Sequence, residues 1–133
     1  TALEELSIEL AMKNMNDDDY KQLTEANKLF AKDSEGDDLI KIAEADVAFH
    51  ELMYMATGNK RLIQMINNLR EQMYRYRLEY IKDKSTHARL VDEHNRIIDA
   101  MVKNDVAAAK AAIKLHVENQ EENILKSIKV KKA

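Results

Sequence analysis

Residues 39–57 read LIKIAEADVAFHELMYMAT, and the spacing of the apolar side chains in this stretch decides the fold. Leu39, Ile42, Ala43, Phe49 and Met53 recur at steps that place them on one broad face of an α-helix, with Thr57 extending it. Asp46 and His50 stand in the middle of that stripe, four residues apart and so on the same face. Burying an unpaired carboxylate or imidazole costs free energy, so a core helix that carries both predicts an internal polar site. The helix is expected to begin near Asp38, with Gly58 as its C-cap and Asn59 opening the next element.

The helical period extends outward on both sides. Helices are predicted over residues 2–15, with Leu3, Leu6, Leu10 and Met15 as the stripe, and over 17–32, with Tyr20, Leu23, Leu29 and Phe30. Asn16 and the acidic run Asp17, Asp18, Asp19 suit the positive end of the second of these. Beyond Asn59, a helix over 60–82 carries Leu62, Ile66, Leu69, Met73, Tyr76 and Tyr80 in a seam close to a coiled-coil repeat. A helix over 85–103 turns Leu90, His94, Ile97, Ile98 and Met101 inward. The last starts at an Asn104 or Asp105 cap and carries Ala109, Ala112, Ile113, His116, Asn123 and Ile124. There is no proline, the only glycines are Gly36 and Gly58, and good helix formers dominate. The chain of 133 residues therefore reads as one all-α domain, an antiparallel bundle of about six helices.

Composition excludes several classes of function. Apolar residues at 45% and charged residues at 34% exclude a disordered chain, and no apolar run approaches the roughly 20 residues that span a bilayer. A net charge of −3 argues against a direct grip on nucleic acid, which needs clustered Lys and Arg. The one basic cluster, Lys126, Lys129, Lys131 and Lys132, suits solubility and the negative end of a helix. With no cysteine there is neither a disulfide framework nor a thiolate site, and no signal-type segment opens the chain, so a cytoplasmic setting is expected.

Three of the four histidines and one aspartate, His50, His94, His116 and Asp46, thus fall on the apolar faces of three helices. Each histidine alone reads as a core residue satisfied by a hydrogen bond, but a shared cation would satisfy all four groups, and helical bundles build metal centres in this way. Nitrogen and carboxylate donors without sulfur suit Zn, Ni, Mn, Co or Fe. Four-coordination would close the site, whereas six-coordination would leave room for water or an incoming carboxylate. His87 falls off the face that His94 defines and is expected to be exposed; Glu93 reads either as a partner for a ligating histidine or, more simply, as a surface acid. Arg70 and Arg77 either reach a carboxylate in the bundle centre or, with Arg75, pair with Glu71 and Glu79 on a solvated face. Tyr74, Tyr76 and Tyr80 line a pocket or pack in a core.

The elements Asp46-Val-Ala-Phe-His50, Ala56-Thr-Gly-Asn59 and Glu93-His94, followed by Ile97, Ala100, Asp105 and His116, resemble the FCD domain. This is the C-terminal ligand-sensing domain of the FadR subfamily of GntR-type bacterial transcription regulators, and the resemblance runs over almost the whole chain. It implies a central cavity with a divalent metal, zinc first, on Asp46, His50, His94 and His116. A small organic acid would complete the coordination, helped by Arg70, Arg77 and Asn123. It also implies a homodimer through the first and fourth helices. DNA contact would belong to a winged helix-turn-helix domain that does not precede the first helix here, so residues 1–133 are expected to be an isolated effector-binding and dimerisation domain. The competing classes are a metal-dependent enzyme on a helical bundle and a domain for which the metal alone is signal or structural support.

Overall fold

The structure, a computed structural model, describes residues 2–132, with the side chains of Met73, Glu121 and 123–132 outside the description. Among the described residues there are six α-helices: α1 (Ala2–Asn14), α2 (Asp17–Asp33), α3 (Leu39–Ala56), α4 (Lys60–Ile81), α5 (His87–Val102) and α6 (Val106–Lys132). A single 3-10 turn, Lys84–Thr86, leads into α5, where one continuous helix from residue 85 was expected. None of these helices is long and apolar enough to cross a membrane.

The helix ends follow from local chemistry. Asn16 accepts from the backbone N–H of Asp19 at 2.9 Å while the Asp19 carboxylate accepts from the N–H of Asn16 at 3.0 Å, a reciprocal cap that satisfies two N–H groups otherwise left bare at the start of α2. Asp38 and Asn59 cap α3 and α4 through the N–H groups of Lys41 and Leu62. Gly58, just past the end of α3, has φ 65°, a left-handed conformation that a side chain would strain. Asp105 caps α6 by accepting from Ala108 N–H.

Side chains pack in two large clusters. Ile8, Leu23, Phe49, Met53, Ile97 and Met101 anchor the first, and Phe30, Ile42, Tyr80, Ile81 and Leu90 the second. Between them His94 stacks on Phe49, with ring centroids 4.0 Å apart, and leans on Phe30 at 5.0 Å. The polar centre therefore lies where the two apolar clusters meet.

Three expected faces are corrected. On α1 the buried residues are Ser7, Ile8, Ala11 and Met12, and Leu6 is exposed. The helix touches α3 and α6 with this face while Leu3 and Leu10 pack beside Tyr54, Leu62 and Ile66, so its contacts spread over two flanks rather than one leucine stripe. On α2, Leu29 is exposed and Asn27 is buried in the face. On α4 the seam holds at Leu62, Ile66 and Tyr80, but Leu69 is open to solvent, because α4 packs mainly along α3.

Candidate metal centre

α3 carries Asp46 and, one turn later, His50; α5 brings His94, and α6 brings His116. The four side chains are 0%, 2%, 0% and 0% exposed. One nitrogen from each histidine lies within 4.8 Å of those of the other two. Asp46 Oδ1 is 3.3 Å from His50 Nε2 and 3.2 Å from His94 Nε2, and His116 Nε2 is 3.3 Å from His50 Nε2. The three histidines that the sequence nominated thus come together, with Asp46 against two of them.

Their neighbours fix which ring nitrogens are bare. Asn27 Nδ2 donates to Asn95 Oδ1 at 2.7 Å, which turns Asn27 Oδ1 toward His94 Nδ1, 3.0 Å away. An amide oxygen only accepts, so His94 carries its proton on Nδ1 and its Nε2 lone pair points toward Asp46. Glu93 plays the same part for His116: Oε1 accepts from Nδ1 at 2.8 Å, while Oε2 accepts from Asn119 Nδ2 at 2.7 Å. His94 Nε2 and Asp46 Oδ1 are consequently two acceptors face to face, and neither has a hydrogen-bond partner among the described residues. A proton on His50 Nε2 could serve only one neighbour at a time, whereas a cation at the centre would serve every lone pair.

Electrostatics prepares the same donors. Burial pushes the His94 pKa down to about 4 and, helped by the nearby Arg77 charge, holds His50 well below the usual imidazole range. Burial opposes ionisation of Asp46, but Arg77, with Nη1 3.3 Å from Asp46 Oδ2, and the His50 contact outweigh it and hold the carboxyl well below the ordinary range. At neutral pH the centre therefore offers an ionised carboxylate and uncharged imidazoles at His50 and His94, the forms in which these groups ligate a metal.

The other nominated residues divide. Arg77 is buried and faces the site, and the Tyr54 hydroxyl shares its guanidinium. Arg70 instead pairs with Glu51 near the surface, and Arg75 pairs with Glu71 on the solvated face. The Asn123 side chain lies outside the described residues. Tyr80 is core, its hydroxyl accepting from Arg89 at 2.8 Å. Glu93, 5% exposed, is the partner of a site histidine and not a surface acid. His87 overturns its expectation of exposure: it is 6% exposed, with Nδ1 3.2 Å from Ser34 O and Nε2 2.9 Å from Ile81 O, because the 3-10 turn folds the start of α5 under the loops that end α2 and α4.

Sequence reasoning missed Asn27 and Gln120. Asn27 lies four residues after Leu23 and three before Phe30, so its place on an apolar face was available as a signal. Gln120, four residues after His116, is 1% exposed, and its Nε2 has no hydrogen-bond partner among the described residues. With Arg77, Gln72 and Tyr76 it lines a cleft of about 280 Å³ bounded by α1, α4 and α6. Arg77 also borders a cavity of about 10 Å³ beside His50, Tyr54 and Ile66.

Comparison with known proteins agrees with this architecture. The family model described as the FCD domain matches residues 1–119. Among solved structures, E. coli McbR/YncC superposes with a TM-score of 0.84 at 16% sequence identity, over 95% of this chain and 64% of that one. This chain therefore spans less than two thirds of that protein. No curated protein is similar enough in sequence to count as a match.

Proposed function

Because the chain belongs to the FCD domain family, we propose that it is the effector-sensing domain of a GntR-type transcription regulator of the FadR subfamily, with one divalent metal held by Asp46, His50, His94 and His116. The observation that carries this reading is the pair of face-to-face acceptors, Asp46 Oδ1 and His94 Nε2, buried without hydrogen-bond partners amid two further imidazoles. Leaving such groups bare is costly, and a cation removes the cost for all of them at once. Zinc expanded beyond four ligands, and equally Ni, Mn, Co or Fe, is compatible with this donor set and leaves a position for a further oxygen ligand.

When bound, the metal supplies a Lewis-acidic anchor for the carboxylate of a small organic acid. The chain's own residues do the rest. Asn27 and Glu93 hold His94 and His116 in the ligating tautomer, and Arg77 balances the Asp46 charge while remaining available to an incoming anion. Signalling requires that the acid bind one arrangement of the helices more tightly than another; a difference of about 1–3 kcal/mol is enough for an ordinary switch. DNA contact through a separate domain, and pairing of two such chains along α1 and α4, belong to this proposal as well.

The second reading, a site in which the metal alone is the signal or the support, is favoured by the small space of about 10 Å³ beside His50. One experiment separates the two. Purified protein is analysed for metal, then its thermal unfolding is followed with chelator and with a panel of small carboxylates, His94→Ala serving as control. Stoichiometric metal that is lost in the control, with further stabilisation by one acid, is the expected result. Metal without any carboxylate response leaves the metal-only reading. Protein that carries no metal and ignores chelator returns the four residues to an ordinary polar core.

A further inference from the structure

The small cavity beside His50 is lined by buried His50, Tyr54, Ile66 and Arg77 on its inner side. Outside it, between α3 and α4, lies a groove of about 660 Å³ along which Glu44, Asn67, Glu71 and Tyr74 are spaced. Val47, Glu51 and Arg70 line both the groove and the inner cavity, so they form the partition between the two. The inner space, about 10 Å³, holds about one water molecule, too little for a carboxylate to reach the metal without a wall moving.

The walls differ in their freedom. Tyr54, Ile66 and Arg77 are buried and packed. The Arg70 and Glu51 side chains are 60% and 31% exposed, and they hold each other across the groove, Arg70 Nε and Nη2 both engaging Glu51 Oε1. They are the pieces of the partition that can swing aside without disturbing the core.

We propose that the Arg70–Glu51 ion pair is a gate on the passage from the α3–α4 groove to the metal centre, closed while Glu51 occupies the guanidinium and open when the pair parts. The proposal rests on the metal reading above. The groove presents the carboxylates of Glu44, Glu51 and Glu71, which raises the local concentration of a divalent cation arriving from solution. An organic acid must instead take Arg70 over from Glu51, so Glu51 acts as an internal carboxylate that the effector displaces. An exposed ion pair shifts such an equilibrium by up to about fivefold, which makes the gate one that opens often.

A closed gate adds a barrier common to both directions, so removing it speeds uptake and release by the same factor and leaves Kd unchanged. The test is stopped-flow uptake of Zn²⁺ by the metal-free chain and its release to an excess of chromogenic chelator, in the wild type, Glu51→Gln and Glu51→Ala. Both variants are expected to exchange zinc up to about fivefold faster in each direction with the same Kd. Raising NaCl from about 0.01 M to about 1 M should speed zinc release from the wild type toward that of the variants and leave release from the variants where it is, while uptake slows in all three as the groove's attraction for the cation is screened. A wild type that binds stoichiometric zinc while both variants keep its rates overturns the gate and leaves the sensor reading standing. So does a change in release alone with a shifted Kd, since the pair would then tune the site and not the passage. A wild type that binds no zinc overturns both.

Discussion

His87 and His94 stand on the same helix and both are buried, yet their rings are treated in opposite ways. Each nitrogen of His87 faces a main-chain carbonyl, Ser34 O or Ile81 O, so the ring ties two loops to the start of α5. His94 has Asn27 on one nitrogen and, on the other, only the oxygen of Asp46 at 3.2 Å with no hydrogen bond between them. The lesson is that burial does not mark a ligating histidine. What sets His94 apart is that its second nitrogen faces the carboxylate and ring nitrogens of other buried side chains and not the main chain.

The comparison breaks most visibly at the ligands themselves. His116→Ala, and equally His50→Ala, should lower zinc affinity by more than about a hundredfold, the upper range for losing merely a supporting residue. Competition with a chromogenic chelator reads this directly; a variant that keeps wild-type affinity would remove that histidine from the set. Arg77→Met comes next. It leaves the fully buried Asp46 carboxylate without its guanidinium, which in metal-free protein should cost about 3–5 kcal/mol. Zinc supplies the missing positive charge, so the deficit measured by denaturant unfolding should shrink when the metal is present. An equal cost with chelator and with zinc would mean that Arg77 serves packing and not the charge of the centre.

Acid probes the same burial. The pKa of His94 lies at about 4 in the folded chain against 6.5 unfolded, so the unfolded state binds more protons between those values. Stability of the metal-free protein is therefore complete above about pH 6.5 and falls as the pH drops toward 4, by about 3 kcal/mol from this residue. His50, lowered for the same reason, acts in the same direction. Asp46, also lowered, adds a further loss below the ordinary carboxylate range as the pH falls through its folded value. Urea midpoints between pH 7.5 and 4.5 would show it, and a shallower pH dependence in His94→Gln, with the His50 share remaining, would assign it.

The sequence disclosed the centre because Asp46, His50, His94 and His116 each interrupt an apolar stripe, and a single helix suffices to see an interruption. The caps at Asn16, Asp38 and Asn59 were legible for a similar reason, since a cap involves residues only three apart. Whatever depends on two helices meeting was not legible. Arg70 and Arg77 share a stripe but are about 10 Å apart along α4, and only the packing of α4 on α3 decides that Arg77 is level with Asp46 while Arg70 meets Glu51. Glu93 looked like a surface acid because its partner His116 is 23 residues away on α6. Leu6 looked like core because a periodic stripe does not say how many neighbours a helix has.

The supporting residues give smaller effects that sharpen the contrast between the two α5 histidines. Glu93→Gln keeps an acceptor for His116 Nδ1 but removes the carboxylate, and about a tenfold loss of zinc affinity is expected, within the range for second-layer carboxylates. His87→Ala is the counterpart on the other side of the comparison. It should leave zinc affinity and stoichiometry as they are and lower stability by about 1–2 kcal/mol, because the carbonyls of Ser34 and Ile81 lose the ring that faces both. Measured side by side, the two variants should separate cleanly, one in affinity and the other in unfolding. If His87→Ala weakened zinc binding as much as Glu93→Gln does, the tie that His87 makes between two loops would have to be setting the position of α5 at the metal, and the division between structural and ligating histidines on that helix would not hold.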